Sequence, residues 1–468
     1  MIIKIIISFC VIICNIIQEK GVYSMFTRIS VKNFKSLIDL DVDLSQKKKE
    51  PKSLVVIYGE NGVGKSNFAS IFYTLRESME TMSIKFILQR LMNSNLDEAN
   101  HLQDKIFRQI IQREVKDTES IITSYKTVKS TEPMELHFEF VVDSKIGSYT
   151  IAYNDQKITE EKLEFQLVKN KVTLYHLKNH KYSLNDKIFE DPDYAKDFSE
   201  TLEQYVGKHS FLSLLSYEVE EKAEEYVMNR VHPLLISILF SLKQVSMKIK
   251  PQSRSEKSML GWHKSLLPNM KSGIILAKDQ EMLKRTERML NEFFTTTYSD
   301  IKKVYYIQKK EKTNIKYELW LKKKMYGKIV DINFTQESSG TQQLLEIIPY
   351  LLLSVEGKTV IIDELDTGIH DILIYQILNK LTPLIKGQLI LTTHNTMLID
   401  SEISPESIYV FYVDHEANKA LVPITKFEGR THPNLNYQNR YLRGMYGGVP
   451  FSRDVDFEEL VELLEEQH

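Results

Sequence analysis

The stretch LVVIYGENGVGKSN, Leu54 to Asn67, constrains the fold more than any other part of the chain. An apolar, β-branched run from Leu54 to Ile57 reads as a buried strand, and it feeds a glycine-rich turn that opens a helix near Ser66. Gly59, Gly62 and Gly64 let the backbone approach a ligand closely. The N–H groups of the turn, including those of Glu60, Asn61, Val63 and Asn67, can then face α- and β-phosphates together with the positive helix end. Lys65 is placed to reach the β- and γ-phosphates as a charge-assisted donor, and the Ser66 hydroxyl to bind Mg²⁺. The match to G-x-x-x-x-G-K-[ST] is complete and sits in the strand–loop–helix context the motif requires, against the bland alternative of an ordinary glycine turn.

A chain of 468 residues allows one large α/β domain with an insertion, or two to three domains. Hydrophobic residues at 42% and charged residues at 26% are ordinary for a globular protein and exclude disordered and membrane-embedded classes. The formal net charge of −2 gives no global bias toward nucleic acid, so any such contact must come from a local patch. Both cysteines, Cys10 and Cys14, lie in the apolar N-terminal run, which excludes a disulfide framework, a cysteine zinc site or a cysteine nucleophile elsewhere and fits a reducing, cytoplasmic setting.

That run, Ile2 to Ile17, is shorter than the roughly 18–20 residues of a spanning helix and lacks a small-x-small cleavage site. It reads as an incidental extension over residues 1–24, with a membrane anchor or a signal as alternatives, and Met25 as another possible start. Phe26 to Leu44 alternates as two strands before the polar loop Gln46–Lys52. Helical patterning follows from Asn67 to Met92 and from Leu96 to Val115. Glu135–Val142, Tyr149–Tyr153, Leu163–Val168 and Val172–Leu177 read as antiparallel strands. Glu218 to Ile249 carries helical spacing divided at Pro233, a polar break runs from Pro251 to Ser258, and Lys278–Phe294 is an amphipathic helix. No repeat or long heptad run occurs, which argues against a long coiled-coil arm. From Lys302 to Lys328, lysines alternate with Tyr305, Tyr306, Tyr317 and Trp320 in a hairpin or three-stranded meander. This is either a half-buried sheet with a lysine-bearing solvent face or, less economically, a nucleic-acid surface.

Downstream, KTVIIDELDTGIH ends an apolar strand in two carboxylates. Asp363 is placed to hold Mg²⁺ through water and Glu364 to orient and deprotonate an attacking water, whereas the structural alternative is an acid-capped strand end. GQLILTTHN is a further buried strand that delivers His394 at the edge where parallel sheets bind ligands. In ESSGTQQLLEIIPYLLL a Ser-Ser-Gly-Thr turn opens a helix between Glu337 and Gln342, either a simple N-cap or a second anion-binding helix end.

The order GENGVGKS, SSGTQ, IIDELD, TTHN resembles the ABC-type ATPase heads of the SMC and RecF group. More closely, it resembles the compact abortive-infection ATPases of bacterial phage defence, RloA- and AbiL-like and PARIS AriA-like. Arg28–Leu37, Glu337–Leu344 and Asn439–Pro450 carry the closer likeness, which covers roughly residues 25–75 and 333–450. Against LSGGQ, Ser338 replaces the Leu and Thr341 the second Gly, and no glutamine switch loop is identified. The resemblance implies an α/β P-loop NTPase, a two-lobed ABC-type head with a mixed α+β and helical insertion. It divides the chain into the extension, head segments at 25–92 and 301–450, an insertion at 93–300 and an acidic C-terminal helix at 451–468. It implies ATP bound between two subunits, with Lys65 and Ser66 of one facing Ser339 and Gly340 of the other. Asp363, Glu364 and His394 would complete the site, and Asp366 and His370 would lie on the loop crossing the interface.

The implied role is a sensor in antiphage defence, working as a homo-oligomer beside a separately encoded effector such as a TOPRIM-type nuclease and answering a phage-encoded trigger. A RecF-type repair ATPase binding DNA directly is the alternative, and a transporter motor fits poorly. No ribonuclease or cysteine nuclease motif is present, and Asp454-Val455-Asp456 lies too close to the C-terminus for a TOPRIM fold, reading instead as the start of an acidic helix from Phe457 to Glu466.

Overall fold

The computed structural model describes residues 24–46, 49–83, 117–222, 224–249, 257–259, 265–311, 313–428, 435–449 and 455–465. The apolar run Ile2–Ile17, the helix expected over Leu96–Val115, most of the polar break after Pro251, and Asp454 lie outside them.

The described chain opens with β1 (Ser24–Phe34) and β2 (Leu37–Asp43), the two strands expected from the alternation, paired as an antiparallel hairpin. It continues through β3 (Leu54–Tyr58), α1 (Lys65–Ser78) and α2 (Thr118–Tyr125). Of the helical stretch expected from Asn67 to Met92, α1 ends at Ser78 and turns at Met79, where the cap N–H bonds back to Arg76 O; Thr81–Ser83 are helical again, and residues 84–92 lie outside the described residues. A meander follows, β4 (Met134–Val142), β5 (Lys145–Tyr153), β6 (Ile158–Gln166), β7 (Lys171–Lys178) and β8 (Lys181–Leu184). Together with β1 and β2 it forms a seven-stranded antiparallel sheet ordered β2-β1-β4-β5-β6-β7-β8. Helices α3 (Pro192–Tyr205), α4 (Phe211–Glu221), α5 (Glu224–Met228) and α6 (Pro233–Lys243) come next, and Pro233 sits at the first position of α6 as its ring prefers.

The helical reading of the run to Ile249 fails beyond Lys243. Ser246–Ile249 is strand β9, fully buried and paired in parallel with β15 (Thr359–Ile362), so a long-range pairing overrides the local apolar spacing. After β10 (Lys257–Met259) come β11 (Ser272–Leu276), α7 (Gln280–Thr297), β12 (Ile301–Glu311), β13 (Asn314–Met325) and β14 (Lys328–Asn333). These precede α8 (Ser339–Val355), then β15, α9 (Asp371–Leu381), β16 (Gln388–Thr392), β17 (Ile408–Val413), β18 (Lys419–Pro423), α10 (Tyr437–Leu442) and α11 (Phe457–Glu465).

The central sheet has the order β10-β9-β15-β16-β3-β17-β18, parallel from β9 to β17 with an antiparallel strand at each edge. Its inner strands are buried on both faces, which is why Leu54–Tyr58, Thr359–Ile362 and Gln388–Thr392 read as near-continuous apolar runs. Strand parity sorts the core. Val55, Ile57, Ile361 and Ile390 join Phe68 and Phe72 of α1 and the aromatic interior of the antiparallel sheet. Leu54, Val56, Val360, Ile362, Leu389 and Leu391 join α7 and α8 on the other face. Gln388, fully buried, locks the two sheets by donating to Phe26 O and Lys52 O and accepting from Phe26 N, all at 2.8–3.0 Å. The result is an α/β P-loop NTPase fold in which a mostly parallel central sheet packs beside a second, antiparallel sheet.

Candidate functional site

The P-loop leaves β3 at Tyr58, whose hydroxyl donates to Asn395 O at 2.9 Å. A Cβ on Gly59 would come within 2.8 Å of Val63 and 3.0 Å of Phe411, so this glycine is required by packing of the loop on β17. Gly64 lies at φ 128°, a backbone that side chains avoid, and it caps α1 without a side-chain hydrogen bond, so the first N–H groups of the helix keep no protein partner of that kind. Asn61 and Gly62 are exposed at the tip, Val63 is buried, and the Asn67 amide donates to Ser36 Oγ at 2.8 Å. The C-terminal YLRGMYGG stretch closes over the loop. A Cβ on Gly448 would lie 3.3 Å from Gly59 Cα, the Gly448 carbonyl accepts from Tyr441 OH at 2.9 Å, and Tyr441 meets Tyr58 edge-on at 5.5 Å.

Lys65 is nearly buried, and its ammonium donates to Gly59 O at 2.7 Å and Glu60 O at 3.0 Å. Burial holds its pKa below the usual lysine range, while Asp363, Glu364, Asp366 and Glu60 pull it back up. Asp363, at the end of β15, accepts from Thr392 Oγ1 at 2.6 Å. Its Oδ2 is buried without a hydrogen-bond partner, and burial raises its pKa against the opposing pull of the Thr392 and Ser66 hydroxyls. A buried carboxylate oxygen without a partner, close to the Ser66 hydroxyl and beside a phosphate-binding loop, fits Mg²⁺, which takes oxygen ligands and keeps waters and phosphates for the rest. Glu364 follows in the left-handed region at φ 50°, a strained backbone for a non-glycine residue. Its N–H donates to Thr392 Oγ1 at 2.8 Å, and its Oε2 accepts from Thr367 Oγ1 at 3.1 Å. Thr392 therefore holds both members of the acidic pair.

His394, exposed after β16, donates its backbone N–H to Asp366 Oδ2 at 3.0 Å. Burial of part of the ring and the nearby Lys65 ammonium lower its pKa, against Asp366, Glu364 and Asp363. His370 caps α9, its Nδ1 accepting from Ile372 N at 3.3 Å.

The signature residues are not part of this cluster. Ser338 caps α8 by accepting from Thr341 N at 3.2 Å, and Ser339 beside it is exposed. A Cβ on Gly340 would lie 2.3 Å from Gly368 O, so the helix start is pressed against the loop that follows the acidic pair. Gln342 turns back to Glu337 O at 3.0 Å, and Glu337 is held by Lys323 at 2.9 Å. Ser339 and Gly340 thus stand at the same edge as Asp363. They open a helix that packs with α7 in the core on one face of the central sheet, whereas Lys65 opens a helix on the opposite face.

The lysine-rich segment is a half-buried meander. Tyr306 and Tyr317 are buried, donating to Met270 O at 2.8 Å and Asn269 O at 2.6 Å, while Tyr305 pairs across strands with Trp320 on the outer face.

Sequence reasoning gave no role to Thr392, although it is the first Thr of the TTHN motif, nor to Gly448 or Lys419. Lys419 Nζ donates to Ser36 Oγ at 2.8 Å beside Gly64.

A glycine loop on a central parallel strand, a buried lysine, an acid pair on the second strand over and a histidine on the strand between define a P-loop NTPase site. A family profile described as "AAA domain, putative AbiEii toxin, Type IV TA system" matches residues 54–400, and the chain belongs to that family. Among solved structures, the SMC head bound to the C-winged helix domain of ScpA is 11% identical at a TM-score of 0.42, over 85% of this chain and 97% of that one. The SMC head domain from Thermotoga maritima is 12% identical at 0.33, over 85% and 98%. The Smc head with an extended coiled coil, bound to the C-terminal domain of ScpA from Pyrococcus furiosus, is 11% identical at 0.37, over 95% and 99%. A comparison with curated proteins found no match. No helix among the described residues is long and apolar enough to cross a membrane.

Proposed function

We propose that the chain binds and hydrolyses ATP between two copies of itself, and that this cycle regulates a separately encoded toxic effector in defence against phage. The observation that carries the first half is the position of Ser339 and Gly340 on the sheet face opposite Lys65, at the same edge and with Ser339 exposed. A helix start so placed serves a nucleotide held by another subunit better than one on its own P-loop.

In this reading the N–H groups of α1 and the Lys65 ammonium hold the β- and γ-phosphates. Ser66 and Asp363 would hold Mg²⁺, which neutralises charge on the phosphate oxygens. Glu364 orients the attacking water and takes its proton, its backbone fixed by Thr392. His394 donates a ring N–H toward the γ-phosphate. The partner's signature helix closes the site and excludes water.

The family description, a toxin of a type IV system, accords with a role in abortive infection. No nuclease motif is found in the sequence, which supports an effector encoded elsewhere. The outer face of the meander, with Tyr305 and Trp320 among lysines, favours a second reading in which the head binds DNA directly. The test is twofold. The purified chain should hydrolyse ATP without cleaving DNA or RNA, and protection from phage should require both Lys65 and an adjacent gene. Metal-dependent cleavage of DNA or RNA by the lone chain, persisting in Glu364→Gln, would overturn the separate effector, and strong stimulation of hydrolysis by DNA would favour the second reading.

A further inference from the structure

Three separate elements meet beside the P-loop on the side away from the acid pair. The β1–β2 turn brings Ser36, the start of α1 brings Asn67, and β18 brings Lys419. Ser36 Oγ accepts from Asn67 Nδ2 and from Lys419 Nζ, each at 2.8 Å. The Lys419 ammonium stands 3.9 Å from where a Cβ on Gly64 would be, against the backbone that opens the phosphate loop. Its neighbour Lys35 is turned elsewhere, toward Ser70 Oγ at 3.4 Å and over the Tyr125 ring. Lys419 is half-buried and makes no ion pair among the described residues; burial lowers its pKa, and Glu60 of the P-loop pulls it back up.

Strand order fixes which end of a nucleotide this is. Asp363 and His394 follow β15 and β16, on one side of β3, and they mark the γ-phosphate end. Lys419 lies on β18, beyond β17 on the other side of β3, so it faces the opposite end of the polyphosphate chain. We propose that Lys419, with Ser36 and Asn67, forms a subsite for the α-phosphate and ribose of a bound nucleoside di- or triphosphate. The inference rests on the nucleotide-site reading above. A lysine held by a neutral hydroxyl rather than a carboxylate keeps its charge available to an incoming phosphate oxygen.

The test compares ATP and ADP affinity, by calorimetry, for the full chain, Lys419→Ala, Lys419→Arg and Lys65→Ala. A contact at the α-phosphate is shared by both nucleotides, so Lys419→Ala should weaken ATP and ADP alike by about tenfold, with Lys419→Arg largely restoring both. Unchanged affinity in Lys419→Ala overturns the proposal, and so does a loss confined to ATP, which would place the lysine at the γ end. Equal losses in both variants together with a lowered melting temperature of the unliganded protein would make Lys419 a structural tie and also overturn it. Failure of the nucleotide-site reading is separately visible: the full chain would not bind ATP, or Lys65→Ala would bind it unchanged, and the subsite would fall with it.

Discussion

Helices α1 and α8 start at the same edge of one sheet, on opposite faces, yet their first turns are built in opposite ways. Helix α1 has a glycine before it, no side-chain cap and a buried lysine whose ammonium is held by loop carbonyls. Helix α8 is capped by its own Ser338, with Ser339 exposed and Gly340 wedged on Gly368. An uncapped helix end enclosed by its own loop turns its first N–H groups toward an anion that enters the loop. A capped and exposed end is stable by itself and offers only its remaining N–H groups to whatever approaches. On the reading proposed above, the first serves as the binding site and the second as a contact surface.

The sharpest break in this comparison comes from Lys65→Ala. Two or more charge-assisted contacts vanish, so ATP affinity should fall by about a hundredfold or more in calorimetry. Ser339→Arg places bulk and charge on the other helix start and should leave that affinity intact while abolishing ATP-dependent assembly. If both variants lose nucleotide affinity equally, the two helix ends serve one site in one chain and the comparison fails.

Glu364→Gln comes next. It retains the side-chain shape and loses the base, so hydrolysis should drop about 10²–10⁴-fold with binding preserved. ATP should then accumulate a dimer or larger assembly in light scattering. A mass that stays monomeric with ATP would remove the role assigned to α8.

Thr392→Val sharpens the same point at smaller scale. It withdraws one hydroxyl from Asp363 and from the Glu364 N–H together, so the acid pair should lose its alignment. Turnover should fall by about tenfold to a hundredfold, with stability lowered by about 1–3 kcal/mol for the partners left unsatisfied. Steady-state kinetics and thermal melts read the two effects separately.

What the sequence made legible follows from how local each feature is. The P-loop strand and the strands that lead to Asp363-Glu364 and His394 are readable because each is a contiguous apolar run with its candidate residue at the end. The SSGT turn was readable as a helix start, but its position on the far face of the sheet was not, because strand parity in the folded sheet decides it. Ser246–Ile249 reads as helix until β15, far downstream in the chain, pairs with it. Thr392 looks like one more β-branched residue until β15 and β16 lie side by side and bring it within 2.6 Å of Asp363. The closing of Gly448 on Gly59 spans most of the chain and leaves no local trace.

A third helix start supplies the control. Helix α4 also opens toward an anion, but the anion is the protein's own: Glu161, fully buried, accepts from Phe211 N at 2.6 Å, from Leu212 N at 3.5 Å, and from the hydroxyls of Tyr149 and Tyr175 at 3.1 and 2.9 Å. Burial pushes its pKa up to about 7, and those donors pull the other way. A folded-state pKa above the unfolded value means the folded protein holds the proton more tightly. The stability contribution is therefore fully present below the ordinary glutamate range and is lost as pH rises through about 7. Between about pH 6 and pH 8 the loss should be about 1 kcal/mol, seen as a falling melting temperature. Glu161→Gln cannot titrate and should flatten that part of the profile, while leaving ATP affinity unchanged because α4 starts at the C-terminal end of α1, where Ser210 Oγ donates to Ser78 O at 2.6 Å, far from the P-loop end of that helix. A melting profile with the same slope in both proteins would show that the Glu161 carboxyl keeps its charge across the range. Helix α4 would then hold a permanent internal anion.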